Sequence, residues 1–599
     1  MSKILGHSFH IPVMGTGYTV DTPAKVAHLG ISSVISIVDD ILLEKMRELY
    51  CTKLSLPFSP ITEKNKDFRA ERITSYLNLM DKIVKEKFEN LKASVQEKKE
   101  DLEEYLDMLP DFSELKKEFK EKFEGNSYVK EAKEWLSKNL PIGSIDVNIM
   151  TKLDKDNYYE GEQLPVEYND AHAALRGFAM SNLESSMVLS AGMNPRLYGY
   201  LEQFEDFYPD ETGHLRKKIV LKVSDYRSAL IQGKFLAKKG IWVSEFRIES
   251  GLNCGGHAFA TEGTLMGPIL EEFKEHREEL KNTLNEMLSQ ALQAKERTCP
   301  KLDLDIRITA QGGVGTAEEQ EFLMDYYHLD SIGWGTPFLL VPEVCDVDEK
   351  TLHLLEIAEE KDLRLSYASP LGVRYNNLIA NTRDKDVLKN FANNKPGSAC
   401  TKKFMLSNTE FTEKPICTAS IQYQKLKLAD LKAKNLPEKE YNKEVSLLLE
   451  KTCLCKGLSA SSFLVNHIDT KADGDGVSIC PGPNLAYFSR KAKLKEMIDH
   501  IYNRTNLIVR TDRPHMFMKE MSLYVDYLKE QIDELQNPVA KQLRSLEKFK
   551  NNLLNGVDYY KDLSNSISGK FKNMKNQVSE DLEHLEFEIR ELLISAEKQ

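Results

Sequence analysis

Long apolar runs are missing from this chain, and so is any dense basic tract. A helix that spans a bilayer needs about 20 consecutive apolar residues, so no membrane protein is expected. Net charge is −12, and the densest basic patch, His214–Lys218, is short. Nucleic acid is disfavoured as a main partner, because gripping a phosphate backbone draws on clustered Lys and Arg. Cysteine is scarce too: nine in 599 residues exclude a secreted disulfide framework. The first residues, MSKILGHSFHIP, lack a signal-peptide pattern, and a soluble cytoplasmic protein is the expectation.

What the chain does have is a strand–helix rhythm. Phe9–Met14 is apolar and ends at Gly15-Thr16-Gly17; Thr22–Leu29 reads as a helix with Pro23 in its first turn. Ser33–Val38 is β-branched, and an amphipathic helix through Ile41, Met46 and Leu49 follows. From Phe68 to about Leu140, Lys and Glu dominate. There Ile73, Leu77, Met80, Val84, Phe88, Leu91 and Val95 recur at helical spacing. Strand signals resume at Ser144–Met150, Ser186–Ala191, Lys218–Val223, Ile241–Glu249, Asp305–Ala310 and Ser331–Leu339. Helices over Tyr226–Lys239, Leu270–Lys295 and Ala317–Tyr326 fit between the later ones. The fold expected is a (β/α)8 TIM barrel of residues 1–60 and 141–390. A helical insertion (61–140), a cysteine-containing accessory region (391–490) and an α-helical C-terminal region (491–599) accompany it. In the last, Leu528, Ile532, Leu535 and Val539, then Leu582, Leu585, Ile589 and Leu592, form helical stripes, with Pro538 and Gly556 expected to separate helices.

Two glycine pairs mark the final strand ends. Gly312-Gly313 follows the seventh strand signal and Gly335-Thr336 the eighth. Glycine lets a main-chain N–H approach a ligand without a side chain in the way, and barrels often hold phosphate after strands seven and eight. Two ordinary turns are the competing explanation.

Read in order, the strand ends resemble the nitronate monooxygenase (2-nitropropane dioxygenase) family of FMN-dependent barrels. IPVMGTG resembles the family's first-strand segment beside the flavin, here Met14 and Gly15. IDVNIM resembles the segment that brings an asparagine to the isoalloxazine, here Asn148, and KVSDYRSA the strand with a lysine near it, here Lys222. ESGLNCGGHAF resembles the strand-six motif ending in Gly255, Gly256 and His257. AQGGVGTAEE with GWGTPFL resembles the phosphate grip, here Gly312, Gly313, Gly335 and Thr336. The resemblance spans about 1–50 and 141–385. It departs at Phe259, where members commonly have glycine, and in the three added regions.

The resemblance implies an FMN-dependent oxidoreductase. His257 would be the general base that takes a proton from a carbon acid, with the flavin accepting electrons. A structural histidine bonded to a carbonyl is the alternative for His257, a loop lysine for Lys222, and a turn residue for Asn148. Cys254 reads as a packed thiol. Cys417, Cys453, Cys455 and Cys480 suggest a zinc or iron–sulfur site, although their spacing lacks tight C-x2-C pairs. Two rivals stand beside a nitronate monooxygenase-like enzyme acting on a small molecule. One is a reductase of the enoyl-thioester type fed by NAD(P)H. The other is a flavin-binding scaffold that pairs with itself or a partner protein through its helices.

Overall fold

The computed structural model describes residues 6–123, 130–190, 192–254, 262–535, 539–567 and 571–592. Eight parallel strands close into a barrel: β1 (Phe9–Ile11), β2 (Ser32–Ser36), β3 (Ile145–Ile149), β4 (Ser185–Leu189), β5 (Lys217–Val223), β6 (Val243–Glu249), β7 (Arg307–Gln311) and β8 (Ser331–Gly333). They run in chain order around the ring, and β8 meets β1 where His10 pairs with Gly333. The protein is therefore a TIM barrel. Each strand expected from the sequence is present. The eighth is shorter than expected: it stops at Gly333, and Thr336–Leu340 turns into a short 3₁₀ helix, because Pro337 has no N–H for a ladder.

The alternate, inward-facing positions of these strands are unusually polar. Along β6 they are Glu245, Arg247 and Glu249; β7 adds Arg307, Thr309 and Gln311, and β5 adds Lys218 and Lys222 around Val220. Val34, Val188 and Val220 form a small apolar plug between a polar floor and a polar mouth.

Helices Phe68–Glu97, Lys99–Met108, Glu114–Phe123 and Lys130–Asn139 lie between β2 and β3. Ile73, Leu77, Met80, Val84, Phe88 and Val95 of the long helix are buried, as their spacing predicts. Gly177 of helix Asp170–Ala179 lets the long helix approach, since a Cβ there would lie 2.8 Å from Ile73. Arg69 and Arg72 reach from the insertion to the buried Asp40 beyond β2, the latter at 2.7 Å.

The segment that follows the barrel folds over its mouth. Helix Leu454–Val465 lies on the first strand's loop: the Gly17 N–H donates to the Leu458 carbonyl (3.0 Å), and a Cβ on Gly17 would be 2.7 Å from that oxygen. The Tyr18 hydroxyl donates to the Ser478 carbonyl (2.7 Å). Helices Leu494–Ile501, Met516–Asp533, Ala540–Ser566 and Lys572–Glu591 complete the chain. Two expectations change here. Gly556 sits inside helix Ala540–Ser566 rather than ending it, where its missing side chain admits Leu265, and Val539 is exposed. Pro538 lies outside the described residues. No described helix is long and apolar enough to cross a membrane.

Candidate functional site at the barrel mouth

A cavity of about 150 Å3 opens at the C-terminal ends of the strands. Its wall is built by strand ends: Gly15 and Thr16 after β1, Ser36 of β2, Asn148 of β3, Lys152 just beyond it, Ser190 after β4, Lys222 of β5 and Glu249 of β6. Tyr375, Met405, Leu454 and Leu458 from the covering segment form the roof. Gly15, Asn148 and Lys222, singled out from the sequence, all line this one cavity. Gly15 has φ +104°, a backbone state that favours glycine. Met14 is buried behind the wall; its sulfur would lie 3.6 Å from a Cβ on Gly335.

Electrostatically the mouth centres on Glu249. Its Oε1 lies 3.2 Å from Lys222 Nζ and accepts from Asn253 Nδ2 (2.6 Å) and Gln311 Nε2 (2.7 Å). Lys152 shares the cavity: burial and then the Lys222 charge push its ammonium pKa down, opposed by Glu249. Two amines thus face one carboxylate. The Asn148 side-chain oxygen is buried with no hydrogen-bond partner among the described residues. A satisfied structural asparagine would not leave that acceptor unmatched.

Lys152, Glu249, Asn253 and Gln311 were not singled out from the sequence. A usable signal existed: VSEFRIE carries charge at every second position, which in a barrel strand points all three charged groups inward.

At the proposed phosphate grip, Gly312 and Gly313 adopt φ +109° and +89°. Thr316 and Glu319 form a capping box, and the helix N-terminus is met by the chain's own carboxylate. Glu319 accepts from the N–H groups of Gly315 (2.9 Å), Thr316 (3.2 Å) and Met516 (2.8 Å), and Arg513 pairs with it at 2.8 Å. Burial would raise this carboxyl; Arg513 and His515 outweigh burial and hold it below its usual range. What is left for a ligand is a set of four main-chain donors. Among the described residues, the N–H groups of Gly313, Val314, Gly335 and Thr336 find no acceptor. Pro481 and Gly482 roof this corner: the Thr336 hydroxyl donates to the Pro481 carbonyl (2.6 Å), and Gly482 lies against Thr336.

Gly255, Gly256 and His257 lie outside the described residues. Cys254 is a packed thiol as expected: it is buried, donates to the Cys480 carbonyl at 3.2 Å, and burial raises its pKa. Cys480 belongs with Cys254, and the fold groups Cys417, Cys453 and Cys455 with Cys400 instead. Among the described residues no group of three or more His, Cys, Asp or Glu side chains is arranged to hold a metal ion.

No family model matches the sequence, and no curated protein matches it. Among solved structures, the enoyl reductase domain of MlnA from the macrolactin biosynthesis cluster of Bacillus amyloliquefaciens aligns over 72% of this chain and 86% of that one. Identity is 15% and the TM-score 0.30. A score that low carries no argument, and the barrel rests on its own strand pairing.

Proposed function

We propose that the protein is an FMN-dependent oxidoreductase of the nitronate monooxygenase kind, with the flavin ring at the barrel mouth. The observation that carries this is a convergence. Gly15, Asn148 and Lys222, singled out because they match flavin-side positions, line one cavity, while four main-chain donors at the ends of β7 and β8 lack acceptors among the described residues. The donor set suits the group: N–H donors for a phosphate, and an unmatched amide oxygen and an ammonium for a heteroaromatic ring. The volume suits the ring more than the whole. A cavity of about 150 Å3 falls below the roughly 300–1,000 Å3 usual for cofactor pockets. A phosphate tail reaches the glycines only if Pro481–Gly482 or Leu252–Cys254 shifts.

When bound, FMN supplies a two-electron acceptor. The chain's own contribution is electrostatic and positional. Lys152 and Lys222 bring two ammonium groups to the cavity beside Glu249, which favours an anionic substrate such as a nitronate. Asn253 and Gln311 fix the Glu249 carboxylate, which in turn fixes Lys222. By resemblance, His257 is the base that removes the substrate proton.

Anaerobic bleaching tests the proposal. Bleaching by a nitronate alone supports the monooxygenase, and bleaching by NAD(P)H moves the assignment to the enoyl-thioester reductase type. A His257→Ala protein that keeps both flavin and full turnover removes His257 as base.

One observation favours a second proposal, a cofactor-independent amine site. The cavity is small, and Lys152 is the amine whose pKa burial lowers. Borohydride trapping of a small aldehyde on Lys152, in protein that takes up no FMN, would select it.

A further inference from the structure

Beside the mouth lies a groove of about 1150 Å3, larger than the mouth and floor cavities together. Its walls come from three stretches of chain: 63–72 of the insertion, 153–160 after β3, and 401–415 of the covering segment. The last belongs to a loop closed on itself. The Ser398 N–H donates to the Ala419 carbonyl (2.9 Å) and the Ser398 carbonyl takes the Ile421 N–H (3.1 Å).

A gap of about 10 Å3 separates groove from mouth, between Val38, Met150, Leu153, Ala171, Ala174 and Phe404. Val38 and Met150 also line the mouth, and Leu153 and Phe404 also line the groove. Two stretches of chain pass all three spaces. Lys152, Leu153 and Asp154 face mouth, gap and groove in turn, and Met405, Phe404 and Lys403 repeat the order. Arg69 and Asp170 border the gap too, but their charges lie 3.8 Å apart, and Arg69 also donates to the carbonyls of Val38 (2.7 Å) and Asp170 (3.1 Å). What the gap offers is therefore apolar. Ala171 and Ala174, one turn apart on one face of helix Asp170–Ala179, keep it from filling.

We propose that gap and groove hold the chain of an unbranched aliphatic substrate whose anionic head lies in the mouth. The proposal rests on the reading of the mouth as the reacting site. Lys152 and Lys222 supply cations for the head. A flavin ring in a cavity of about 150 Å3 leaves space for a reacting end and little more, so the rest of the substrate needs the neighbouring space. The gap as it stands has the volume of about one water, so a chain passes when the Phe404 ring turns aside. That ring is buried, with the Arg69 guanidinium carbon 5.3 Å from its centroid. Beyond it the groove is polar, with Asp154, Lys155, Asp156 and Lys403 in its walls. The apolar length of the chain is accordingly finite, and its far end is polar or meets water.

Saturated carboxylates are the probe, because they share a flat, two-oxygen anionic head with a nitronate and undergo no redox step. Calorimetric titration of the purified full-length protein, from acetate to octanoate, should show affinity rising about fourfold per methylene once the chain enters the gap. Ala174→Phe fills the gap and should flatten that rise. An octanoate with a diazirine near its far end, photolysed on the wild type, should label 153–160 or 401–415. No binding at any length, an affinity that ignores chain length, equal slopes in wild type and Ala174→Phe, or label confined to other stretches would each overturn the proposal. The labelling decides even if Ala174→Phe fails to fold. A protein that shows the slope but is not bleached by nitronates loses the oxidoreductase reading and keeps the chain site. A flavoprotein bleached by nitronates with a flat carboxylate series loses only the chain site.

Discussion

The floor of the barrel and its mouth are built from the same strands, one or two inward positions apart, yet they treat charge differently. The floor cavity is the larger, about 440 Å3 against about 150 Å3. Its charges are closed on one another: Arg247 lies 2.7 Å from Glu245, Thr309 donates to Glu245 at 2.6 Å, and Asp146 accepts from Ser144 (2.6 Å) and from the Ser186 N–H (2.9 Å). At the mouth, Lys152 and Lys222 both face Glu249, the Asn148 oxygen has no partner among the described residues, and the covering segment forms a roof. Between these two cavities, volume alone would choose the floor. The mouth is preferred because Gly15, Asn148 and Lys222, the positions singled out from the sequence, line it at the C-terminal ends of the strands.

The sharpest way to break the comparison is to open the floor. Arg247→Met leaves Glu245 buried without its main partner, and should cost about 3–5 kcal/mol of stability by chemical denaturation. A loss below about 1 kcal/mol would mean the floor is not closed as described.

Acid should act on the same pair. Burial alone would raise the Glu245 carboxyl, but Arg247, Arg307 and His10 override it and hold it at about 2, against an ordinary 4.5. A depressed folded-state value stabilises above the unfolded pKa. That contribution, on the order of 3 kcal/mol, is lost as pH falls from 4.5 toward about 2. Unfolding free energies across that range should fall more steeply for the wild type than for Glu245→Gln. Equal slopes would contradict the assignment.

At the mouth the balance between stability and binding should invert. Lys222→Met is expected to change stability by only about 1 kcal/mol, because Glu249 keeps Asn253 and Gln311, while weakening FMN binding about tenfold. Fluorescence titration of FMN checks it, and unchanged affinity would detach Lys222 from the site. An exposed pair on the insertion sets the baseline. Glu86→Gln, opposite Lys82, should shift stability by less than about 0.5 kcal/mol.

The eight strands were legible because β-branched runs alternate with helical spacing, and the helical stripe of the insertion because Ile73 to Val95 repeats so regularly. Long-range closure was not legible. Nothing in GTG and LSASS announces that Gly17 will hydrogen-bond to Leu458, or that Pro481 will roof Thr336. The mouth was half legible: Asn148 and Lys222 came from motif order, whereas Lys152 and Glu249 acquire meaning only once β3 and β6 share one barrel. The cysteines show the same limit, since Cys400 joins the others through a loop closure rather than through spacing.

The absorption spectrum of the purified protein, followed by titration with FMN, tests the central claim most directly. Flavin bands that denaturation releases as FMN, or stoichiometric uptake of added FMN that Lys222→Met weakens, are the predicted result. A colourless protein that leaves added FMN unquenched would contradict it.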